Sequence, residues 1–455
     1  MSQRKLIALL SLVVILALTA GVSFASPSRT DALMGDQSGL RVFTDDYANI
    51  YTFPTSVVRQ NNLVLADLGT NSTGGVNSVA FANQNLTLIR NFPRFGAIAF
   101  DMKSSALNSP NSSVLGHEQL DIIWGRGFEK IDIAVRMDIT NSKWDGSQTT
   151  APTTQSRAYM GSSFTGLGDE PYPFTSLTSN RILDGGVELN TWGITPSIAF
   201  HMQNDNRFEG AVTYRTYTLD RSEADNTVGA VSEKWGDAGN ASYALVARAV
   251  LNQNDKNTWY PVVWYQKDDL GWEITNARRV AGQDRSADEA FTNYGLGVSN
   301  NMKVNDNNLL VWGVAGGWSK SEYARGDDNT LRTGLVDPDS ILVDDIKSLE
   351  EKSSMLPVVF AGVETNATRW LTVRFSASRA LVTDKSEETE FGTPATVSVT
   401  KERGSEFGFA IGTGIRWNNL DIDMVMNEEF PLSGGYILSG NEATPFTRVS
   451  TTYHF

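Results

Sequence analysis

The stretch EKIDIAVRMDIT, residues 129–140, sets Ile131, Ile133, Val135, Met137 and Ile139 at alternate positions, with Lys130, Asp132, Ala134, Arg136 and Asp138 between them. Successive side chains of a strand point to opposite faces, so this strand is greasy on one side and charged on the other. The same division recurs along most of the chain. Leu371, Val373, Phe375 and Ala377 oppose Thr372, Arg374, Ser376 and Ser378. Phe407, Phe409, Ile411, Ile415 and Trp417 oppose Gly408, Ala410, Gly412, Gly414 and Arg416. Leu420, Ile422, Met424 and Met426 oppose Asp421 and Asp423, and Tyr243, Leu245 and Leu251 oppose Ser242, Ala244 and Arg248. Such strands must cover their apolar faces with a second sheet or with lipid.

Three features favour lipid. Many segments run to ten residues or more, longer than sandwich strands and matched to the ~9–11 residues that cross a bilayer at a tilt. Aromatics stand near segment ends, at Trp124, Trp192, Tyr217, Tyr243, Trp259, Trp318, Trp417 and Tyr453, where an interfacial girdle places half-wet rings. The connections also sort into two kinds. Tight links are expected at Asn91-Phe92-Pro93, Gly127-Phe128, Asn204-Asp205-Asn206, Asn254-Asp255, Asn305-Asp306, Asn366-Ala367 and Asn418-Asn419. Long polar links are expected at 104–116, 140–187, 222–239, 269–290, 322–354, 383–405 and 429–445, with a short helical pattern over 337–352.

Strands are expected at 60–68, 79–91, 94–103, 117–126, 129–140, 188–202, 206–221, 240–252, 257–268, 291–303, 307–321, 355–366, 368–382, 406–417, 419–428 and 446–455. The fold class is therefore all-β. It is a transmembrane antiparallel β-barrel of about sixteen strands, with short periplasmic turns and long extracellular loops. The first two strands are the least marked, which makes fourteen the alternative.

Composition removes other classes. The chain has no cysteine and 3 His, so it holds no disulfide framework, thiolate metal site or His-rich centre. No metal or other cofactor is expected. The formal net charge of −14 argues against a nucleic-acid partner. Arg4 and Lys5, the apolar run Leu6–Ala20 and Ser23-Phe24-Ala25 make residues 1–25 a secretory signal peptide. Residues 26–59 are then a periplasmic or luminal plug-like segment, and 60–455 the barrel. His117 and Asp121 are an isolated pair. No Gly-x-Ser-x-Gly elbow or phosphate-cradling loop is present, so no enzyme is expected.

The chain ends FTRVSTTYHF, alternating up to Tyr453 and Phe455. This resembles the assembly signal of Gram-negative outer-membrane barrels. It implies an outer-membrane location, lipid contact and recognition by the barrel assembly machinery. Residues 28–56 carry Ala32-Leu33-Met34-Gly35, Asp45-Asp46 and Asn49-Ile50, with Phe53-Pro54-Thr55 in place of Asn-Pro-Ala. The stretch resembles the amino-terminal segment of FadL-like barrels (long-chain fatty acid transporters) and their PorV-type relatives. The resemblance implies a plug carrying Asp45, Asp46, Asn49 and Pro54. It also implies, as alternatives, transport of hydrophobic compounds or a part in protein export.

A sixteen-stranded barrel is wide enough for an aqueous channel. The faces opposite lipid carry Lys130, Asp132, Arg136, Asp138, Glu209, Arg215, Arg248, Arg374, Arg416, Asp421, Asp423 and Arg448. These residues are expected to line a charged lumen that passes small solutes passively. The sequence leaves monomer and trimer both open.

Overall fold

The computed structural model describes residues 26–34, 38–60, 62–69, 83–105, 117–148, 183–225, 229–235, 240–276, 285–325, 346–390, 397–426 and 446–455. The signal segment lies outside them. The strands are β1 (Leu63–Gly69), β2 (Asn83–Phe92), β3 (Gly96–Ser105), β4 (His117–Gly127), β5 (Ile131–Gln148), β6 (Leu183–His201), β7 (Arg207–Asp225), β8 (Gly229–Trp235), β9 (Ala241–Asn254), β10 (Asn257–Asn276), β11 (Arg285–Asn305), β12 (Asn308–Arg325), β13 (Ile346–Asn366), β14 (Leu371–Glu390), β15 (Val397–Trp417), β16 (Leu420–Met426) and β17 (Phe446–His454).

All the pairings are antiparallel. β1 closes the ring, with Leu63 opposite Ile89 of β2 on one side and His454 of β17 on the other. β8 and β9 both lie between β7 and β10, one beyond the other. They are halves of one stave, so the 17-stranded sheet is a sixteen-stave barrel. The two strands least marked in the sequence carry the closure, and the count is sixteen rather than fourteen.

The tight links form one rim. They fall at 93–95, 128–130, 202–206, 255–256, 306–307, 367–370 and 418–419. Asn residues make them for identifiable reasons. Asn418 takes a left-handed φ of 56°, which Asn tolerates better than most side chains. The Asn254 side-chain oxygen accepts from the backbone N–H of Lys256 and of Asn257, both at 2.9 Å.

On the other rim the strands run further than their apolar pattern predicts. β5 reaches Gln148, β10 reaches Asn276, β13 starts at Ile346 and β15 at Val397. Much of the sequence expected as loop at 140–187, 222–239, 269–290, 322–354 and 383–405 is therefore strand. Backbone pairing continues there beyond the apolar belt. With water on both faces nothing enforces alternation, so the sequence pattern fades. The helical pattern expected over 337–352 is also replaced, because Ser348–Lys352 pair with both β12 and β14. Residues 337–345 and 429–445 lie outside the described residues.

The wall has its polarity reversed relative to a soluble protein. On β5, Ile133, Met137 and Ile139 are exposed while Asp132, Arg136 and Asp138 are buried. Phe200, Leu296, Val314, Val363 and Phe375 are exposed around the same ring. A continuous apolar girth on a closed barrel is compatible only with lipid. From Ile131 to Ile139, at ~3.3 Å per residue and a tilt of ~40°, the belt rises roughly 20 Å. Aromatics edge it. Trp192, Tyr214 and Tyr243 touch in sequence at 5.8 and 5.3 Å, and Tyr294 stacks on Trp318 at 5.6 Å. Tyr217, expected in this girdle, faces inward and is buried. It shares its strand face with Arg215.

Candidate functional site

The barrel interior is occupied by the chain that precedes β1. This segment comprises helix α1 (Pro27–Met34) and three 3₁₀ turns, Ser38–Phe43, Tyr47–Tyr51 and Pro54–Arg59. Local chemistry sets their starts. Ser26 Oγ accepts from the N–H of Arg29 at 3.1 Å, and Pro27 follows with its φ already fixed for a helix. The Asp46 carboxylate accepts from the N–H of Ala48 at 3.1 Å, starting the second turn. Pro54 opens the third.

Polar contacts tie the segment to strands around the ring. In the first cluster, Arg29 makes a two-point contact with Glu364 of β13, at 2.6 and 2.9 Å. Arg374 of β14 bridges Glu364 at 2.7 Å and Asp423 of β16 at 2.7 Å. Ser26 donates to the same Asp423 at 2.6 Å. In the second cluster, Arg41 forks onto Asp31 at 2.8 and 3.0 Å, and Arg448 of β17 reaches Asp31 at 3.1 Å. Arg448 also pairs with Asp67 of β1, across the barrel closure.

The third cluster lies on β5, β6, β7 and β9. Arg248 pairs with Glu209, and both side chains are 0% exposed. Arg248 also donates to the carbonyls of Val42 and Thr44, at 2.9 and 2.5 Å, and its guanidinium lies 4.5 Å from the Phe53 ring. Arg59 lies 3.1 Å from Glu209 and 3.6 Å from Asp132, which His201 meets at 2.8 Å. Beside these clusters, Arg136 donates to the Tyr51 carbonyl at 2.8 Å and to Asp121 at 3.0 Å.

Between the charged contacts run apolar ones, the largest of them around Phe43. Phe43 lies edge-on to Trp264 of β10 at 6.5 Å and against Phe360 of β13 at 5.6 Å. Leu33, Met34, Leu40, Val262, Val358, Ala380 and Val382 are among the other members of the cluster. Helix α1 approaches the wall closely where the wall has no side chain. A Cβ on Gly362 would lie 2.3 Å from the Leu33 carbonyl oxygen, and one on Gly412 would lie 2.3 Å from the Ala32 Cβ.

Two adjacent carboxyls of the segment titrate in opposite directions. Desolvation works to raise the Asp45 carboxyl, but Arg207, Arg248 and Arg59 outweigh it and hold it at about 2. Asp46 has no such set of partners, and burial pushes it up to about 7 against the pull of Arg29.

The residues expected from sequence divide into groups. Asp132, Arg136, Asp138, Glu209, Arg215, Arg248, Arg374, Asp421 and Asp423 are buried on the inner wall. Arg448 is on the same side, against Asp31 and Asp67. Arg215 and Asp138 pair with each other at 2.8 Å. Arg416 lies near the turn rim, 3.3 Å from Asp421. Lys130 does not join the wall. It sits exposed in the bend before β5, where the turn ends the alternation one residue early. Asp45, Asp46, Asn49 and Pro54 all fall in the interior segment, where Asn49 donates to the Thr44 carbonyl at 2.6 Å. At the carboxyl end, the Phe455 N–H donates to the Asn62 carbonyl at 3.2 Å and Tyr453 pairs with both β1 and β16. Sequence reasoning missed Arg29, Asp31, Arg41, Arg59, Asp67, Arg207 and Glu364. Arg207 and Glu209 share a strand face two residues apart, a readable signal. The rest stand in aperiodic sequence or near strand ends.

The fold and its filled lumen define the class: a closed, lipid-facing β-barrel with its own amino-terminal segment packed inside. No family model and no characterised protein sequence matches this chain. Among solved structures, the toluene transporter TodX of Pseudomonas putida is similar at 9% identity and TM-score 0.34, over 96% of this chain and 97% of that one. The ferric-catecholate import receptor Fiu of E. coli K12, in its open form, is similar at 9% identity and TM-score 0.35, over 87% and 82%. The ferric yersiniabactin uptake receptor FyuA of Yersinia pestis is similar at 8% identity and TM-score 0.36, over 87% and 80%.

Proposed function

We propose that the chain is an outer-membrane channel protein of a Gram-negative bacterium, exported by its signal peptide, in which residues 26–60 gate the passage of small solutes. One observation carries this reading. The interior segment is not part of the wall, and beside its apolar contacts it is tied to strands on different sides of the barrel by ion pairs and hydrogen bonds that water can replace. The inner wall around it is charged, which suits polar solutes. Deleting residues 26–60 and recording single channels in planar bilayers tests the gate. The shortened barrel should conduct several-fold more than the full chain, and sugars should then swell liposomes that carry it. Equal conductance would remove the gate, and silence from both proteins would remove the channel.

A second reading has its own support. Trp264, Val358, Phe360, Ala380 and Val382 give the inner wall an apolar sector. That sector suits a carrier of hydrophobic compounds. Such a carrier would take up an apolar solute into proteoliposomes without swelling them in sugar.

A further inference from the structure

The cradle around Asp45 contains more donors than it satisfies. Arg59, Arg207 and Arg248 approach Asp45 Oδ1 at 3.9, 2.5 and 3.5 Å. Glu209 and Asp132 share these guanidiniums, and Asp132 is also held by His201. Arg207 is only 7% exposed. Even so, its Nε and Nη2, like Nη1 of Arg59, meet their carboxylates as ion pairs off the ideal hydrogen-bond line. Buried guanidinium N–H groups without aligned acceptors are costly. They fit a cradle shaped for an acceptor that can sit deeper and flatter than a side chain tethered at Asp45.

Asp45 is also the loosest member of the group. Its side chain is 35% exposed, whereas Glu209 is 0% exposed. It therefore has open space beside it. The segment does not depend on it for its seat, because Arg248 holds the Val42 and Thr44 carbonyls independently. That the Asp45 carboxyl is held at about 2 fits a cradle selective for a charged carboxylate.

We propose that Arg59, Arg207 and Arg248 form a carboxylate-binding subsite, occupied by Asp45 in this structure and taken by the carboxylate of a solute when Asp45 swings aside. The idea rests on the channel reading and names its solute class. A planar carboxylate can meet the guanidinium forks at two points. One carboxylate leaves as another enters, so no guanidinium is left buried without a counter-charge.

The test is equilibrium dialysis of radiolabelled succinate against the purified full-length protein in detergent. The wild type should bind weakly and saturably. Asp45→Asn removes the internal competitor and should bind about tenfold more tightly, because the free cradle is no longer a minor population. Adding Arg207→Gln to that variant should abolish binding, and the neutral amide succinamide should not compete. Folding of each variant is checked by heat-modifiable migration on gels. If Asp45→Asn fails that check, Asp45→Ala replaces it with the same expected gain. Equal affinity of wild type and variant overturns the proposal, and so does binding indifferent to Arg207→Gln. Tighter binding of inorganic phosphate than of succinate overturns the carboxylate assignment. Dialysis requires no open pore. Binding without conductance would therefore sink the channel and leave the subsite standing, and conductance without binding would do the reverse.

Discussion

Ion pairs serve two different purposes in the two ends of this barrel. Towards the turn rim most of them are buried and join separate parts of the chain, as Arg248 joins Glu209 and the carbonyls of Val42 and Thr44. On the extended strands of the opposite rim they mostly join residues two apart on one strand face, with Lys320 also reaching Glu350 on the adjacent strand at 2.9 Å. Lys267 meets Asp269, Lys320 meets Glu322, Lys352 meets Glu350 and Lys385 meets Glu387. Their side chains are largely open, as at Lys352, which is 48% exposed. The first kind fixes where a folded segment sits. The second keeps long hairpins wet. Position and partner, rather than the number of charges, set what a pair contributes.

The sharpest way to break that contrast is Arg248→Ala. It leaves Glu209 with only Arg59 and Arg207 and takes the donor from two buried backbone carbonyls, and should destabilise the protein by ~3–5 kcal/mol, read from urea unfolding in detergent. Phe43→Ala attacks the apolar anchor instead. Losing the contacts with Trp264 and Phe360 should cost about 3 kcal/mol in the same assay. An equal loss from the two substitutions would show that the segment depends as much on shape as on charge. Gly362→Ala tests close approach. Its methyl would collide with the Leu33 carbonyl, costing ~1–3 kcal/mol, and single-channel conductance should rise as α1 is pushed off the wall.

A pH series separates two adjacent carboxyls. Asp46 at about 7 lies above its ordinary value of 3.8. Between these limits the folded protein keeps a proton that the unfolded chain has released. Stability should therefore fall as pH rises from about 4 to 7. Asp45 at about 2 does the opposite, contributing fully above 3.8 and losing that contribution only as pH drops towards 2. Asp46→Asn should flatten the decline between about pH 4 and 7 and leave the acid limb in place, as read from the urea midpoint across that range. Lys352→Ala should have the smallest effect, within ~0.5 kcal/mol, because its pair is exposed and screened. A loss of several kcal/mol there would erase the distinction between the two ends.

Much of the wall was legible because lipid enforces alternation. Asp132, Arg136 and Asp138 could be assigned inward from Ile133, Val135 and Met137 alone. Where lipid ends, so does legibility. The strand extensions at Ile346–Lys352 and Val397–Arg403 have little apolar face to advertise them, no more than Val397 and Val399 on the second, and backbone pairing makes them. Glu364 faces inward beyond a register shift between Met355 and Val358, so its face could not be carried over from the earlier residues of β13. The anchors of the interior segment were the least legible. Arg29 sits on the short helix α1 and Arg41 and Arg59 on 3₁₀ turns, and their partners lie on that helix or on distant strands. Resemblance drew attention to Asp45 and Asp46, but only geometry separates a carboxylate in an arginine cradle from a neighbour buried beside a threonine.

The link between the interior segment and the wall is very short. Only residues 60–62 separate Arg59, at the end of the last turn, from Leu63, the first residue of β1. A segment leashed this closely cannot diffuse away once undocked, and its local concentration stays on the order of millimolar or higher. Reseating is then a first-order event, indifferent to how many copies the membrane holds. Dilution would not keep the passage open, and a free peptide copy of the segment would have to outcompete a neighbour that never leaves.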